Sequence, residues 1–428
     1  MKRLLALLLC LAALLSLTAC AVQPSETQPT ETQPTETQPT EPVDDYDYPE
    51  IEDKLTWEKI NSFPIKTSNM TEQEMRKLCV EFFRFTKTAL WTPNADKKYI
   101  RNSKGTVDEI LKGSVYGSLP YVGLGSGTIY RMMDYLNEET GVLDIARAAQ
   151  SPTLFGNQCA NGAYVAWGRL INSVDASMAT SNMVVSNGYV RVGPYTYDDD
   201  RGKFMEEDNT VSICKANGEQ IMFQSYAAMQ PADGFVQYTT AGHVMMCSSV
   251  PHVEYIDGTD QIDGEKSDLY IIDQHQKWVE GTNESGDTFL HKNYLDRKMS
   301  FQQLFSGSYL PFTFAEFLGT DPIEETECSF SYTGDTITVK DLFAGKVTAN
   351  YGISDIYAIV KDASGKEVYR HAVRSKNSSE RALIMVRNSD NIDKWGTLDI
   401  SNGEYTVEVV AQLLTGERPT IYQGKLVP

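Results

Sequence analysis

The stretch 156–167 places a cysteine directly ahead of an apolar helical pattern. After Cys159, apolar residues recur at helical spacing: Ala160, Ala163, Tyr164, Trp167, Leu170 and Ile171. This spacing predicts a helix that begins near Cys159 and buries one face, so a core must form around it. A thiol at a helix N-terminus lies at the positive end of the helix dipole and near unpaired N–H groups, which lower its pKa. The sequence therefore predicts a nucleophilic cysteine at position 159.

The chain offers few bases for this cysteine, because it contains only five histidines. His243 opens the apolar run 244–246, and a second apolar run, 269–272, ends on Asp273. Both runs are typical of buried strands, so His243 can face a cleft while its neighbours pack. A cysteine, then a histidine, then a polar orienting residue at a strand end is the order of a papain-like arrangement.

Alternatives to this triad remain open. His252 and His275 compete with His243, although neither precedes so clear a buried strand. Gln274 and His275 are rival third members, because one residue of register decides which side chain of a strand faces inward. Cys159 could also be a small buried residue without any chemistry.

The amino terminus indicates export. Lys2 and Arg3 precede an apolar run over 4–17, which is too short to span a membrane, and small residues then lead into Cys20. This segment resembles a bacterial lipoprotein signal, which implies cleavage before Cys20, lipidation of its sulfur and an extracytoplasmic protein anchored to the cell membrane. An ordinary secretory signal with a chance cysteine is the alternative.

The sequence divides into four segments. Residues 1–19 are the predicted signal peptide. Residues 20–50 predict an unfolded tether, because 23–41 repeat Glu-Thr-Gln-Pro-Thr with regular prolines and without apolar side chains, and an acidic stretch follows. Residues 51–320 mix helical and strand patterns and predict an α+β hydrolase domain. Residues 321–428 carry short alternating runs separated by turn signals, which predict an all-β sandwich of immunoglobulin-like type.

Local patterns predict several further elements. Thr71 and Glu74 form a capping box that predicts a helix with a buried face, ending before Trp91. The surroundings of 132–143 look helical. The runs 183–185, 189–192 and 211–214 predict short strands. Residues 113–121 hold glycines and a proline and predict a loop that brings Tyr121 toward the site, where its hydroxyl contacts an oxyanion or merely packs.

Composition excludes some classes of function. The formal net charge of −20 and the pI near 4.7 argue against nucleic-acid binding, which needs Lys and Arg clusters. Without the signal peptide and Cys20, the cysteine count is odd and lacks CxxC spacing, so it indicates neither a disulfide framework nor a zinc site. The acidic loop 257–266 does not match a calcium-binding EF-hand. We expect no metal or organic cofactor, a monomer, and membrane contact only through the lipid anchor.

Residues 113–275 resemble the NlpC-type cell-wall cysteine peptidases and, more distantly, the amidase relatives in the papain-like superfamily. The resemblance rests on Leu119-Pro120-Tyr121, on 157–162, and on 230–234 together with 242–244. It implies a papain-like domain of a helix packed on an antiparallel sheet, which cleaves amide bonds in peptidoglycan stem peptides. By resemblance, Cys159 is the nucleophile, His243 the base and Asp273 the orienting residue, while Tyr121 contacts the oxyanion or the substrate.

The chain also departs from this family. Gln158 stands where the family has an aspartate, so an amide replaces the acid that would contact a stem-peptide amine; Gln158 and Gln274 are further candidates for contact with the substrate or the oxyanion. Asp273 lies farther behind His243 than the family's third residue does, as in transglutaminase-like Cys-His-Asp sites. Two alternatives follow: acyl transfer to an amine, or a non-catalytic lipoprotein that binds cell wall or glycopeptide through a degenerate peptidase domain.

Overall fold

The computed structural model describes residues 48–173, 183, 188–197, 209–239, 242–377 and 380–428. These residues have mixed α and β structure with large sheets and few helices, as an α+β fold requires. The predicted signal peptide, Cys20 and nearly all of the tether lie outside the described residues, as does most of the predicted strand 183–185.

The described helices are short, except for the helix that the capping box of Thr71 and Glu74 predicts. Thr71 Oγ1 accepts from the Glu74 N–H at 3.3 Å, and Glu74 Oε2 accepts from the Thr71 N–H at 2.8 Å, so the predicted capping box is confirmed. The described helices are α1 (Trp57–Asn61), α2 (Glu72–Thr88), α3 (Ile129–Met132), α4 (Ile145–Ala148), α5 (Pro152–Phe155), α6 (Cys159–Trp167), α7 (Asn209–Asn217), α8 (Glu219–Ala227), α9 (Phe301–Ser306) and α10 (Val339–Leu342).

Strands make up most of the remaining regular structure. The described strands are β1 (Leu90–Pro93), β2 (Lys97–Ile100), β3 (Val107–Ile110), β4 (Tyr116–Gly117), β5 (Leu136–Asn137), β6 (Val142–Leu143), β7 (Tyr189–Arg191), β8 (Gly234–Gln237), β9 (His243–Cys247), β10 (Asp268–Thr282), β11 (Thr288–Ser300), β12 (Leu310–Phe314), β13 (Cys328–Phe330), β14 (Thr336–Thr338), β15 (Lys346–Ala349), β16 (Ile353–Asp362), β17 (Glu367–Arg374), β18 (Ala382–Ile384), β19 (Ile392–Trp395), β20 (Tyr405–Leu413) and β21 (Thr420–Val427).

Three local predictions were wrong, each for a physical reason. The run 211–214 lies in α7 rather than in a strand, because Thr210, Ile213 and Cys214 are buried at helical spacing. The predicted helix over 132–143 ends after α3 and gives way to β5 and β6, since the Asn137 side chain accepts from the Glu139 N–H and starts a turn. The strand of Asp273 does not end there but continues through β10 to Thr282.

The largest sheet positions the predicted site. Among the described strands, ten form this sheet in the order β5-β6-β1-β4-β11-β10-β9-β8-β12-β7. β9 lies between β8 and β10 and pairs antiparallel with both. Because α6 packs against β9, β10 and α2, the start of the helix lies beside the strands that carry His243 and Asp273.

Residues 321–428 form two further sheets with a core of their own. The larger sheet has the order β14-β21-β20-β16-β17-β19, and the smaller one has the order β13-β15-β18. Side chains from both sheets enter one hydrophobic cluster, for example Phe330 from the smaller sheet and Ile356 and Val409 from the larger. The cluster around α2 and α6 is separate and spans residues 55–323, with Leu414 added.

Buried ion pairs join these two parts of the molecule. Arg131 lies in α3. It donates to Asp355 Oδ1 at 2.9 Å and to the Leu154 carbonyl at 2.7 Å. Arg374 donates to Asp134 Oδ2 at 2.6 Å. Arg131 and Arg374 are 3% and 0% exposed, so both charges depend on partners across the junction.

Candidate active site

Cys159 is the first residue of α6, as the sequence predicted, and it is 3% exposed. The preceding loop is held against a second loop, because the Asn157 N–H donates to the Pro120 carbonyl at 3.0 Å and the Val122 N–H donates to the Asn157 carbonyl at 2.9 Å. A Cβ atom on Gly156 would lie 2.3 Å from Val122 Cγ2, so only glycine permits this approach. The two loops therefore fix where the thiol begins the helix.

His243 and Asp273 meet across β9 and β10. His243 is the first residue of β9, and its Nε2 lies 2.9 Å from Asp273 Oδ2. The His243 side chain is 23% exposed and that of Asp273 is 1% exposed. The other carboxylate oxygen of Asp273 accepts from the Tyr294 N–H at 3.1 Å. The imidazole is therefore held from its buried side.

A bulge, rather than a strand end, aims Asp273 at the histidine. The pairing of β10 with β11 shifts register between Ile271 and Asp273, and again after Gln274. Such irregularities redirect side chains without ending a strand. Sequence patterns do not reveal bulges of this kind, which explains why Asp273 was expected at the end of its strand.

The imidazole of His243 acts on the ionisation of the Cys159 thiol. Burial raises the pKa of Cys159, but the hydrogen bond with His243, the charge of His243, and backbone hydrogen bonds with Val244 and Ala160 bring this pKa below its usual value. Because Nε2 of His243 is bonded to Asp273, Nδ1 is the ring nitrogen that remains for the thiol. This arrangement favours a thiolate beside an imidazolium.

The carboxylate completes the charge pattern. Burial lowers the pKa of His243, but hydrogen bonds with Asp273 and Cys159 raise it to about 10. Burial raises the pKa of Asp273, while the hydrogen bond and the charge of His243 bring it below its usual value. The ionised carboxylate therefore keeps the imidazole protonated on Nε2.

The other described cysteines have raised thiol pKa values. All five cysteines in the described residues are free. Burial raises the pKa of Cys79, raises that of Cys214 and of Cys247 to about 12, and raises that of Cys328 to about 11. Within the described ranges, a lowered thiol pKa is thus found at Cys159 alone.

Tyr121 lies at the thiol. Its half-buried side chain lies close enough to Cys159 and Gln276 for both to act on its hydroxyl, and burial and the charge of Cys159 raise its pKa. A bridge between Tyr121 and Asn157 holds the tyrosine beside the start of α6. The structure thus brings together Cys159, His243, Asp273 and Tyr121.

The two glutamines differ from each other. Gln158 is the half-buried N-cap residue of α6 and lies directly before Cys159. Its side chain makes no capping bond. Gln274 is 0% exposed and donates from Nε2 to the Leu119 carbonyl at 2.9 Å. The structure does not bring Gln274 to a surface where a substrate could contact it.

The rival histidines make other contacts. The His252 side chain is 58% exposed and lies 3.6 Å from Glu254. His275 packs against the Tyr294 ring, with the ring centroids 4.6 Å apart, and burial lowers its pKa. Neither of these histidines takes the place of His243 between Cys159 and Asp273.

Sequence reasoning missed two neighbours of the site. Tyr309 packs edge-on near His243, with the ring centroids 6.4 Å apart. Lys87 is 0% exposed and its Nζ donates to Gln274 Oε1. A signal for Lys87 existed, because it lies four residues after Phe83 on the apolar face of α2.

In the described part of the chain, neither a metal-ligand cluster nor the groove along α2 coincides with the site. Among the described residues, no group of three or more His, Cys, Asp or Glu side chains is arranged to hold a metal ion. A groove of about 930 Å³ lies between α2 and residues 230–250 and is not lined by Cys159, His243 or Asp273. The site is recognised by its hydrogen bonds rather than by its volume.

No protein-family model, curated protein or solved structure matches this chain. In the part of the chain that the structure describes, no helix has the length and apolar character needed to cross a membrane.

Proposed function

We propose that this protein is a cysteine hydrolase that cleaves amide bonds, with Cys159 as nucleophile, His243 as acid and base, and Asp273 as orienting residue. The observation that carries the proposal is the 2.9 Å hydrogen bond between the His243 imidazole and the Asp273 carboxylate, next to a Cys159 thiol whose pKa the imidazole lowers. A nucleophile, a base and a group that orients the base are the parts that covalent acyl transfer requires.

In acylation, the thiolate attacks the carbonyl carbon of the amide, and the C=O electrons move to the oxygen. Unpaired N–H groups at the start of α6 and the Tyr121 hydroxyl supply hydrogen bonds to this oxyanion. His243 then transfers its Nδ1 proton to the leaving nitrogen. The C–N bond breaks, the amine departs and a thioester with Cys159 remains.

In deacylation, His243 is neutral and accepts a proton from water at Nδ1. The resulting hydroxide attacks the thioester carbon, the C–S bond breaks, and Cys159 leaves as a thiolate beside the reprotonated imidazole. Asp273 keeps Nε2 protonated in both steps, so Nδ1 always faces the reacting atoms.

The finer parts of the proposal come from sequence resemblance. We propose a papain-like domain over 51–320, an immunoglobulin-like sandwich over 321–428, and a lipid anchor at Cys20 that holds the protein outside the cytoplasm. The NlpC-type resemblance makes peptidoglycan stem peptides the proposed substrate. The pairing of Cys159 with His243 supports the cleavage of amide bonds. The amide side chain of Gln158 affects which stem-peptide amine the site accepts.

The first experiment measures alkylation of Cys159. The folded protein is treated with iodoacetamide between pH 5 and about 9, and labelling of each cysteine is followed by peptide-mapped mass spectrometry. We expect Cys159 to label selectively, with a thiolate pKa well below the free value of about 8.5 that rises in His243→Ala. A positive result is followed by digestion of peptidoglycan.

His252→Ala is the matched control, because it removes an exposed histidine outside the site. It should leave the labelling curve unchanged. If Cys159 stays inert until denaturant is added, the hydrolase proposal fails and a binding lipoprotein becomes the better explanation.

Acyl transfer is the second candidate, and the position of Asp273 favours it. By resemblance, the aspartate and its spacing of 30 residues behind His243 are similar to those of transglutaminase-like Cys-His-Asp sites. Both reactions share the thioester, so added primary amine separates them. A transferase yields the amine-coupled product in preference to the acid, whereas a hydrolase yields the acid.

A further inference from the structure

Lys87 is a buried cation next to the proposed nucleophile. It is 0% exposed and lies in the last turn of α2, which packs against α6. Its Nζ lies 3.1 Å from the position that a Cβ on Gly162 would take. The ammonium group therefore packs against the first turn of α6 at Gly162, three residues after Cys159.

The contacts of this ammonium do not neutralise it. Among its described contacts, Nζ donates to the amide oxygen of Gln274 and lies 4.7 Å from the centroid of the Phe83 ring. Neither partner is a carboxylate. The negative groups that act on Lys87 are Asp273 and Cys159, which face it from β10 and α6.

Gln274 connects this lysine with the oxyanion side of the site. It receives the Lys87 hydrogen bond on Oε1 and donates from Nε2 to the Leu119 carbonyl at 2.9 Å. Leu119 lies two residues before Tyr121, whose pKa responds to the charge of Cys159. A series of hydrogen bonds thus runs from α2 to the loop that carries Tyr121.

We propose that Lys87 is a positioning residue of the cysteine site: it stabilises the thiolate form of Cys159 with a buried positive charge and, through Gln274, holds the loop of Tyr121 in place. The inference rests on the proposed function of Cys159. It explains why a chain would keep a lysine without a carboxylate partner inside its core, where such a charge is costly.

The charge of Lys87 acts on the acidic side of neutrality. Burial lowers the pKa of Lys87 to about 7, against the pull of Asp273 and Cys159. The lysine is therefore charged below pH 7, where a thiolate most needs support. Because its folded pKa lies below its unfolded value, the buried charge destabilises the fold at acidic pH, and this penalty fades as the pH rises from about 7 toward the unfolded pKa.

The test compares Lys87→Met and Lys87→Gln with Lys66→Met. Lys66 is also buried, and its Nζ donates to the Glu324 carbonyl at 2.7 Å, away from the site. Each protein is labelled with iodoacetamide across pH 5 to 9, and its thermal midpoint Tm is measured at acidic and at alkaline pH. Lys87→Gln removes the charge and keeps an N–H donor, on a side chain one atom shorter.

We expect both Lys87 variants to label Cys159 more slowly at acidic pH, by about tenfold for each pH unit by which the thiolate pKa rises. Lys66→Met should retain the curve of the unmodified protein. Lys87→Met should also have a Tm that is unchanged or raised at acidic pH, because an apolar side chain replaces a buried charge. A merely structural lysine would lower Tm and leave the labelling curve in place.

Three outcomes would overturn the inference. An unchanged labelling curve in both Lys87 variants would show that the charge does not act on Cys159. Failure of both variants to fold would make Lys87 structural. If Cys159 of the unmodified protein does not label at all, the proposed function itself fails, and this result differs from the other two.

Discussion

At the scale of single residues, the ionisation of Cys159 is decided by three opposing effects. Burial favours the neutral thiol, whereas the imidazolium of His243 and backbone N–H groups favour the thiolate. Cys159 also lies at the start of a helix, where the helix dipole favours the thiolate as well. The pKa of Cys159 falls because hydrogen bonds to the charged form outweigh desolvation.

Asp273→Asn tests this balance. The carboxylate contributes to raising the pKa of His243 to about 10, so its loss lets the imidazolium lose its proton at lower pH. The alkaline limb of kcat/KM should then move to lower pH, and the acid limb to higher pH, because a neutral imidazole no longer stabilises the thiolate. We also expect kcat to fall on the order of 10² to 10⁴-fold.

Asp257→Asn, an exposed carboxylate in the 257–266 loop, is the matched control and should reproduce the original pH profile. An Asp273→Asn profile with both limbs in their original positions would mean that Asp273 does not govern the imidazole.

At the scale of elements, α2 supports the site from behind. It packs against α6 and carries both the apolar face of Phe82 and Phe83 and the buried Lys87. Its start is held by the capping box of Thr71 and Glu74, far along the helix from Lys87. Stability and site chemistry therefore reside at opposite ends of one helix and can be separated.

Thr71→Ala should destabilise the fold without altering Cys159. Loss of the N-cap leaves helix N–H groups unpaired and costs about 1 kcal/mol. The free energy of unfolding, measured with urea, should fall by this amount, while the pH midpoint of Cys159 labelling stays constant. Thr71→Ser keeps the capping oxygen and should unfold close to the original midpoint; equal losses in both variants would contradict the role of the cap.

At the scale of the whole molecule, the carboxy-terminal sheets are tied to the segment that leads into the nucleophile. Arg131 binds Asp355 on β16 and also the Leu154 carbonyl in α5, five residues before Cys159. Ser126, in the loop that packs on Gly156, donates to the Ser375 carbonyl at 3.2 Å. The position of the cysteine loop thus depends on residues beyond 321.

Asp355→Ala should therefore unfold the molecule more easily as a whole. Its carboxylate is 0% exposed and lies 2.9 Å from Arg131 Nε and 3.3 Å from Arg374 Nη1, so its removal leaves two buried cations short of a partner. We expect a loss of about 3–5 kcal/mol in the free energy of unfolding. Urea unfolding followed by tryptophan fluorescence measures this loss.

Glu404→Ala is the comparison, because Glu404 pairs with Lys425 on the exposed surface of the same sheets. Its unfolding midpoint should equal that of the original protein. If Asp355→Ala also unfolds at the midpoint of the original protein, the buried ion pairs at the junction do not hold the two parts together.

The sequence by itself determined the elements whose signals are local. The capping box predicted the start of α2, and the apolar spacing after position 159 predicted α6, since both depend on residues within one or two helical turns. The run 244–246 predicted β9 and put His243 at its first residue. The apolar runs at 211–214 and 132–143 were misread, because burial partners and a turn-forming Asn137 overrode local preference.

Only the tertiary structure decided which side chains meet. The register shift in β10 aims Asp273 at His243 and turns Gln274 into the core, and no local pattern encodes such a bulge. The same packing brings Lys87 from α2 to Gly162 and Gln274. Strand pairing and burial couple residues far apart in the chain. Cys159, His243 and the rival third residues were therefore readable from sequence, whereas the choice of Asp273 and the presence of Lys87 and Tyr309 were not.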